Sequence, residues 1–344
     1  MTNMRKTVQR LIAEEVGHAA KVDDVVKLHG DASYRTYYRA LMRDGASFIV
    51  MQMPAGPSSA SEEITNGGGT HEELPFINIS KYLAGLGLPV PAIHHYSEED
   101  HMMILEDLGD ETMEKMLEGA GDPERLEWYA RALDLLVLMQ ERTQEKGPRS
   151  CVANARSFDA RLLNWEFDHF REYCIEAHAG KSMSMSDGEA FEAETRKISA
   201  AIEAMPYGFT HRDFQSRNLI VRDGALYLID FQDALTGPTV YDLVALARDS
   251  YVKLPDSMVD RLVDEYSSKV GRDRDEVRRE FDLVTVQRKL KDAGRFVYID
   301  RVKRNPDFLK FIPASLGYVR DALARLPEHA KLKEVIETYV PDWR

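Results

Sequence analysis

The chain has 344 residues, 44% hydrophobic and 30% charged, an ordinary globular composition long enough for two packed lobes. Its formal charge of −13, from 58 acidic and 45 basic residues, repels phosphate backbones and anionic lipid, so nucleic acid and membranes are poor candidate partners. Two cysteines, Cys151 and Cys174, make neither a disulfide framework nor a metal cluster. With no signal-like apolar block near the start and no apolar run of roughly 18 residues, a cytoplasmic protein is expected.

Residues 4–16 place Val8, Leu11, Ile12 and Val16 at helical spacing. A short apolar stretch at 25–28 leads into the turn signal Gly30-Asp31-Ala32-Ser33. Residues 34–41 and 47–53 read as strands, and Asp44-Gly45 between them is a hairpin cue. Residues 54–73 are rich in Gly, Pro and Ser and read as a mobile connector. A helix over 74–86 and strands at 92–96 and 102–105 follow.

After Gly109 the texture becomes helical. Asp122-Pro123 is an N-cap with proline in the first turn, and Leu126, Tyr129, Ala130, Leu133, Leu136 and Val137 line one helix face. Further helices fit 158–177, 188–205 and most of the chain after Val240. The expected organisation is a small β-rich lobe over 1–105, a hinge at 106–110 and a larger helical lobe over 111–344.

The informative chemistry lies in Phe209-Thr210-His211-Arg212-Asp213-Phe214-Gln215-Ser216-Arg217-Asn218, which matches a kinase catalytic loop with Asn five positions after Asp. That spacing lets the Asp213 carboxylate meet an acceptor hydroxyl while the Asn218 amide oxygen reaches a metal on the phosphates. Asp223-Gly224 turns a hairpin whose return strand ends at Asp230, bringing Asp230 back beside Asn218. Such an oxygen pair suits Mg²⁺, which shares its ligands with phosphate and water. Asp230-Phe231-Gln232 replaces Asp-Phe-Gly, which argues for a permanently formed metal site.

The nucleotide end is expected at Asp31, Ala32, Ser33 and Arg35, where small residues let backbone N–H groups approach phosphate. Strand alternation sets Arg35, Tyr37 and Arg39 on one face, towards a triphosphate. Met51 stands where protein kinases carry a phosphate-binding lysine, so Arg35 or the loop backbone is expected to supply that charge neutralisation. The backbone around Glu106 and Leu108, in Met103-Ile104-Leu105-Glu106-Asp107-Leu108-Gly109, is the expected adenine contact.

At these residues the chain resembles the aminoglycoside phosphotransferase and choline kinase superfamily. Within it, the resemblance is nearest to bacterial kinases acting on the anomeric hydroxyl of N-acetylmuramate and N-acetylglucosamine. It rests on the motifs above together with Asp230-Phe231-Gln232-Asp233-Ala234, Gly237-Pro238, Tyr241-Asp242-Leu243 and Gln287-Arg288-Lys289-Leu290-Lys291, in order over nearly the whole chain. The resemblance implies an α+β, protein-kinase-like two-lobed fold and ATP with Mg²⁺ as cofactors. It makes Asp213 the base or hydroxyl-orienting group, Asn218 and Asp230 the metal ligands, and Asp242 a brace for the catalytic loop. Gln215 departs from the histidine more usual there, which leaves sugar specificity open.

By placement, Glu166, Arg217, Asp233 and Arg288 are the expected substrate contacts, with Arg288 and Lys291 suited to a substrate carboxylate. The expected partner is a small sugar, and the expected assembly a monomer or weak homodimer. Two rivals remain: a kinase for another small alcohol (aminoglycoside, choline or homoserine), and a catalytically dead scaffold motivated by Met51. A protein kinase is disfavoured, since no Ala-Pro-Glu element and no long activation segment separates Asp230 from Asp242.

Overall fold

The structure is a computed structural model that describes residues 2–28, 35–53, 73–143 and 151–343. The expected turn at Gly30, Asp31, Ala32 and Ser33 and most of the connector at 54–73 lie outside these residues.

Five strands form one antiparallel sheet: β1 (Val22–Lys27), β2 (Thr36–Met42), β3 (Ser47–Gln52), β4 (Ile93–Ser97) and β5 (Met102–Glu106), in the order β1-β2-β3-β5-β4. β1 begins ahead of the apolar stretch at 25–28, because pairing with β2 recruits Val22 and Asp24, with Asp23 bulged between them. β2 and β3 turn at Asp44-Gly45, where Gly45 takes φ 90°. Strand alternation then divides the apolar residues between two faces. Phe48, Val50, Met102 and Ile104 pack with Val8, Leu11 and Ile12 of the N-terminal helix α1 (Thr2–Glu14). Met51, Met103 and Leu105 face the main core, which also holds Phe76, Ile79 and Leu83 of α2 (Pro75–Gly85).

The rest of the chain is mostly helical. α3 (Asp122–Thr143), α4 (Ala160–Phe170), α5 (Met185–Glu203), α6 (Tyr241–Ala247), α7 (Asp256–Val270), α8 (Arg274–Lys303), α9 (Ile312–Ala324) and α10 (Ala330–Tyr339) surround two short ribbons. One pairs β6 (Tyr207–Thr210) with β9 (Leu235–Pro238), and the other pairs β7 (Leu219–Arg222) with β8 (Ala225–Leu228). β7 and β8 turn at Asp223 (φ 52°) and Gly224 (φ 74°), the two positive φ values of a tight hairpin.

The helix expected over 158–177 begins at Ala160, where Asp159 accepts the Leu162 N–H at 2.8 Å. It widens at Arg171 into a π-helix running to His178. The thirty residues of α8 pass through the centre of the helical lobe, and from Val277 to Ile299 most of their side chains are buried. The two lobes share the main core: Phe76 of α2 stacks on Phe231 just beyond β8, with ring centroids 5.0 Å apart.

Candidate active site

β6 delivers the chain into His211-Arg212-Asp213. His211 is fully buried, and burial pushes its pKa down to about 4, so its ring is neutral at physiological pH. With Nε2 donating to the Ile229 carbonyl at 3.1 Å, Nδ1 accepts the Asp213 N–H at 3.3 Å. Arg212 takes φ 73°, a strained conformation for a residue with a side chain. Asp242, at the start of α6, holds it there by accepting the His211 N–H at 2.7 Å and the Arg212 N–H at 3.0 Å. Burial raises the Asp242 carboxyl to about 7 even though these two bonds oppose the shift. Asp249 braces the far side of the loop, taking the Ser216 N–H at 3.3 Å and its hydroxyl at 2.8 Å.

This bracing fixes Asp213. Its carbonyl accepts the Gln215 N–H and the Asn218 amide, both at 2.8 Å. Its carboxylate is 38% exposed, and Oδ1 accepts from Arg288 Nη2 at 3.2 Å. Partial burial favours the protonated form, but Arg288, Lys291 and Arg212 outweigh it and hold the pKa below the ordinary carboxylate value. The result is an ionised carboxylate, oriented from behind and open in front. Arg288 itself is buried, donates to the Arg212 carbonyl and lies 4.9 Å from the centre of the Tyr241 ring.

Asn218 spends its amide N–H on Asp213, which leaves its side-chain oxygen for another partner. The Ile229 N–H bonds the Asn218 carbonyl at 3.1 Å, so Asp230 follows directly, at φ 64°. The Asp230 carboxyl is pushed up to about 6, first by burial, then by the neighbouring carboxylates of Asp213 and Asp233. Gln232 Nε2 bridges Asp230 (3.0 Å) and Asp233 (3.1 Å). Three acids beside an amide oxygen concentrate negative charge that a divalent cation would neutralise, and hard oxygen donors suit Mg²⁺. Among the described residues no cluster of three or more His, Cys, Asp or Glu makes a metal cage, so a cation here needs further ligands from phosphate and water.

The other expected residues fall into distinct places. Asp31, Ala32 and Ser33 are outside the described residues. Arg35 bonds the Tyr37 hydroxyl and acts electrostatically on Asp230. The Arg39 guanidinium, two positions beyond Tyr37, binds Asp107 at 2.6 and 3.0 Å and also grips Asp110, fastening β2 to the segment after β5. Arg222 ties the same segment through the Glu106 carboxylate (2.7 Å) and the Asp107 carbonyl (3.3 Å). Leu108 is buried, and among the described residues no backbone carbonyl accepts its N–H. Met51 is fully buried and paired with Tyr37 and Met103 on the neighbouring strands.

Glu166 is 1% exposed, with one oxygen on Arg212 (3.1 Å) and the other on Gln287 (2.6 Å). That placement supports a brace beneath the loop and not the substrate contact expected from sequence. Arg217 pairs with Glu114 at 3.4 Å and lies 3.6 Å above the Tyr251 ring, at the edge of the loop. Gln287 stands out in the sequence only as part of a motif, with no sign of its bond to Glu166, and Asp249 does not stand out at all. Asp249 lies 33 positions from the serine it holds, and no local spacing links them.

The model of the phosphotransferase enzyme family matches residues 24–279 of this chain, which therefore belongs to that family. It is a small-molecule kinase. The N-acetylmuramate/N-acetylglucosamine kinase of Pseudomonas aeruginosa is 29% identical, over 91% of this chain and 88% of its own length. The protein of the same name from Neisseria meningitidis is 28% identical, over 93% of this chain and 91% of its own. Among solved structures, the choline kinase of Streptococcus pneumoniae superimposes with a TM-score of 0.59 over 95% of this chain and 99% of its own, at 15% identity, a likeness of fold.

Proposed function

We propose that this protein transfers the γ-phosphoryl group of ATP to a hydroxyl of an amino sugar of the N-acetylmuramate or N-acetylglucosamine type, the anomeric hydroxyl by resemblance, in cytoplasmic salvage or recycling of cell-wall sugars. The observation that carries the reading is the Asp213 carboxylate, ionised, partly exposed and fixed by Arg288 opposite Asn218 and Asp230. Phosphoryl transfer needs positioning and charge neutralisation more than covalent help from the protein. Asp213 orients the acceptor hydroxyl and takes its proton late in the transfer. Asn218 and Asp230 hold Mg²⁺, which when bound neutralises charge on the phosphates. The hinge backbone at Glu106 and Leu108 faces the adenine, and Arg35 with the 31–33 loop attends the phosphates. Arg35 beside Asp230 answers the buried Met51, which favours an active enzyme over a dead scaffold.

Cations and acids are both gathered around Asp213: Arg288, Lys291 and Arg212 act on its carboxylate, and Asp230 lies close enough to feel its charge, so the acceptor class is a question for assay. Two experiments test the reading. An acceptor screen with N-acetylmuramate, N-acetylglucosamine, N-acetylgalactosamine, choline and an aminoglycoside, with product position and anomer read by NMR, should single out an amino sugar. Asp213→Asn should lower kcat by about 10³-fold or more, with Mg²⁺-ATP affinity nearly unchanged. Near-normal turnover by that variant removes Asp213 from the chemistry.

A further inference from the structure

Next to Arg288, which bonds Asp213, two helices present a strip that the reaction chemistry leaves unused. On α8, Lys291, Arg295 and Tyr298 follow Arg288 at three-, four- and three-residue steps, one helical face, and all three are partly exposed. At 1.5 Å per residue the face runs roughly 10 Å from Arg288 to Arg295. Facing it, α4 carries Trp165 and His169 one turn apart, and the π-helix that continues α4 carries Tyr173. π-Helical geometry is rare and is found frequently at functional sites.

The rings form one continuous wall. Trp165 stacks on His169 at 5.3 Å, His169 meets Tyr173 at 4.6 Å and Tyr298 at 5.5 Å, and Tyr173 meets Tyr298 edge-on at 5.3 Å. His169 is 7% exposed, and its Nε2 has no hydrogen-bond partner among the described residues. Burial, then Arg295 and Lys291, push its pKa down to about 4, so the wall is uncharged at neutral pH and both cations lie against it. Lys291 also acts on Asp213, which joins the strip to the reacting end. Arg295 lies 4.9 Å from the Tyr298 ring centre and makes no ion pair among the described residues. In a chain of net charge −13, an aromatic wall beside two cations, one without an acid, matches a ligand with an apolar face and an anionic arm.

We propose that this strip is the acceptor subsite, in which the sugar ring lies along Trp165 and Tyr298 while Lys291 and Arg295 hold a carboxylate on its substituent. The enzyme then prefers an acid-bearing amino sugar to its neutral counterpart. This rests on the amino-sugar kinase reading above and adds the residues that discriminate within it.

The test is steady-state kinetics with N-acetylmuramate and N-acetylglucosamine for the wild type, Arg295→Met and Trp165→Leu. Arg295→Met should raise KM for N-acetylmuramate by about tenfold or more, the scale of one charge-assisted hydrogen bond. Its kcat and its KM for N-acetylglucosamine should stay within about twofold of wild type, which also shows that the variant is folded. Trp165→Leu should raise KM for both sugars. If Arg295→Met changes both sugars equally, or neither, the subsite assignment is overturned while the sugar-kinase reading stands. A wild-type enzyme that phosphorylates neither sugar overturns the underlying reading itself.

Discussion

Gly294 lies on α8 where that helix crosses the end of α4. A Cβ at this position meets Phe170 Cα at 2.8 Å, the His169 carbonyl oxygen at 2.9 Å and Phe170 N at 3.0 Å. All three are backbone atoms, so no rotamer change relieves the overlap. The helices must part by roughly 0.6 Å to restore an ordinary contact, in a core that packs without slack. Two effects of Gly294→Ala oppose each other. Helix propensity favours alanine by about 1 kcal/mol, whereas overpacking costs about 1–3 kcal/mol and more when the obstacle is main chain. Packing should win, with a net loss near 2 kcal/mol. Because Arg288 is six positions away on the same helix and bonds Asp213, kcat should fall as well. Urea unfolding followed by circular dichroism, with kcat measured on the same preparation, decides the matter. A variant as stable as wild type, or more stable, with normal kcat would refute the close-crossing argument.

His169 makes stability depend on pH. Its pKa of about 4 in the folded chain lies below the ordinary 6.5, so between these values the unfolded chain binds a proton that the folded chain does not. Stability should therefore fall as pH drops from about 6.5 towards 4, by at most about 3 kcal/mol from this group. The stability advantage of wild type over His169→Phe should shrink by that amount over the same window, and a difference independent of pH would contradict the assignment. Restoring the lysine of protein kinases at Met51 should not help this enzyme. The site is sealed in the core, so Met51→Lys should cost several kcal/mol (about 3 or more) without improving nucleotide affinity. Tighter Mg²⁺-ATP binding by that variant, measured by calorimetry, would show that the position opens to the cleft.

Elements governed by neighbours in the chain were legible without the fold. Asp44-Gly45 and Asp223-Gly224 each supply the positive φ that a tight hairpin demands, so strands on either side could be placed from sequence. The apolar spacing of α1 and α3 marked one buried face in each. The His211-to-Asn218 motif located the centre of the site because loop and hairpin share a single short stretch of chain. Residues 158–177 read as one regular helix in the sequence, since nothing in their side-chain spacing announces the wider turns that begin at Arg171.

The two-lobed α+β architecture, the family and the chemistry-bearing residues that lie close together along the chain are thus readable from residue order alone. Their partners were decided only in three dimensions. Asp213 meets Arg288 across 75 positions, Arg212 meets Glu166 across 46, and Arg39 meets Asp107 across 68. A charged side chain read alone looks equally suited to ligand, brace or surface, because its role depends on which opposite charge folding brings within reach and on how much water folding removes. Packing set Glu166 against Arg212 and Gln287, and Arg39 against Asp107 and Asp110. It also gathered Trp165, His169, Tyr173 and Tyr298, unremarkable residues in the sequence, into one wall near Lys291 and Arg295.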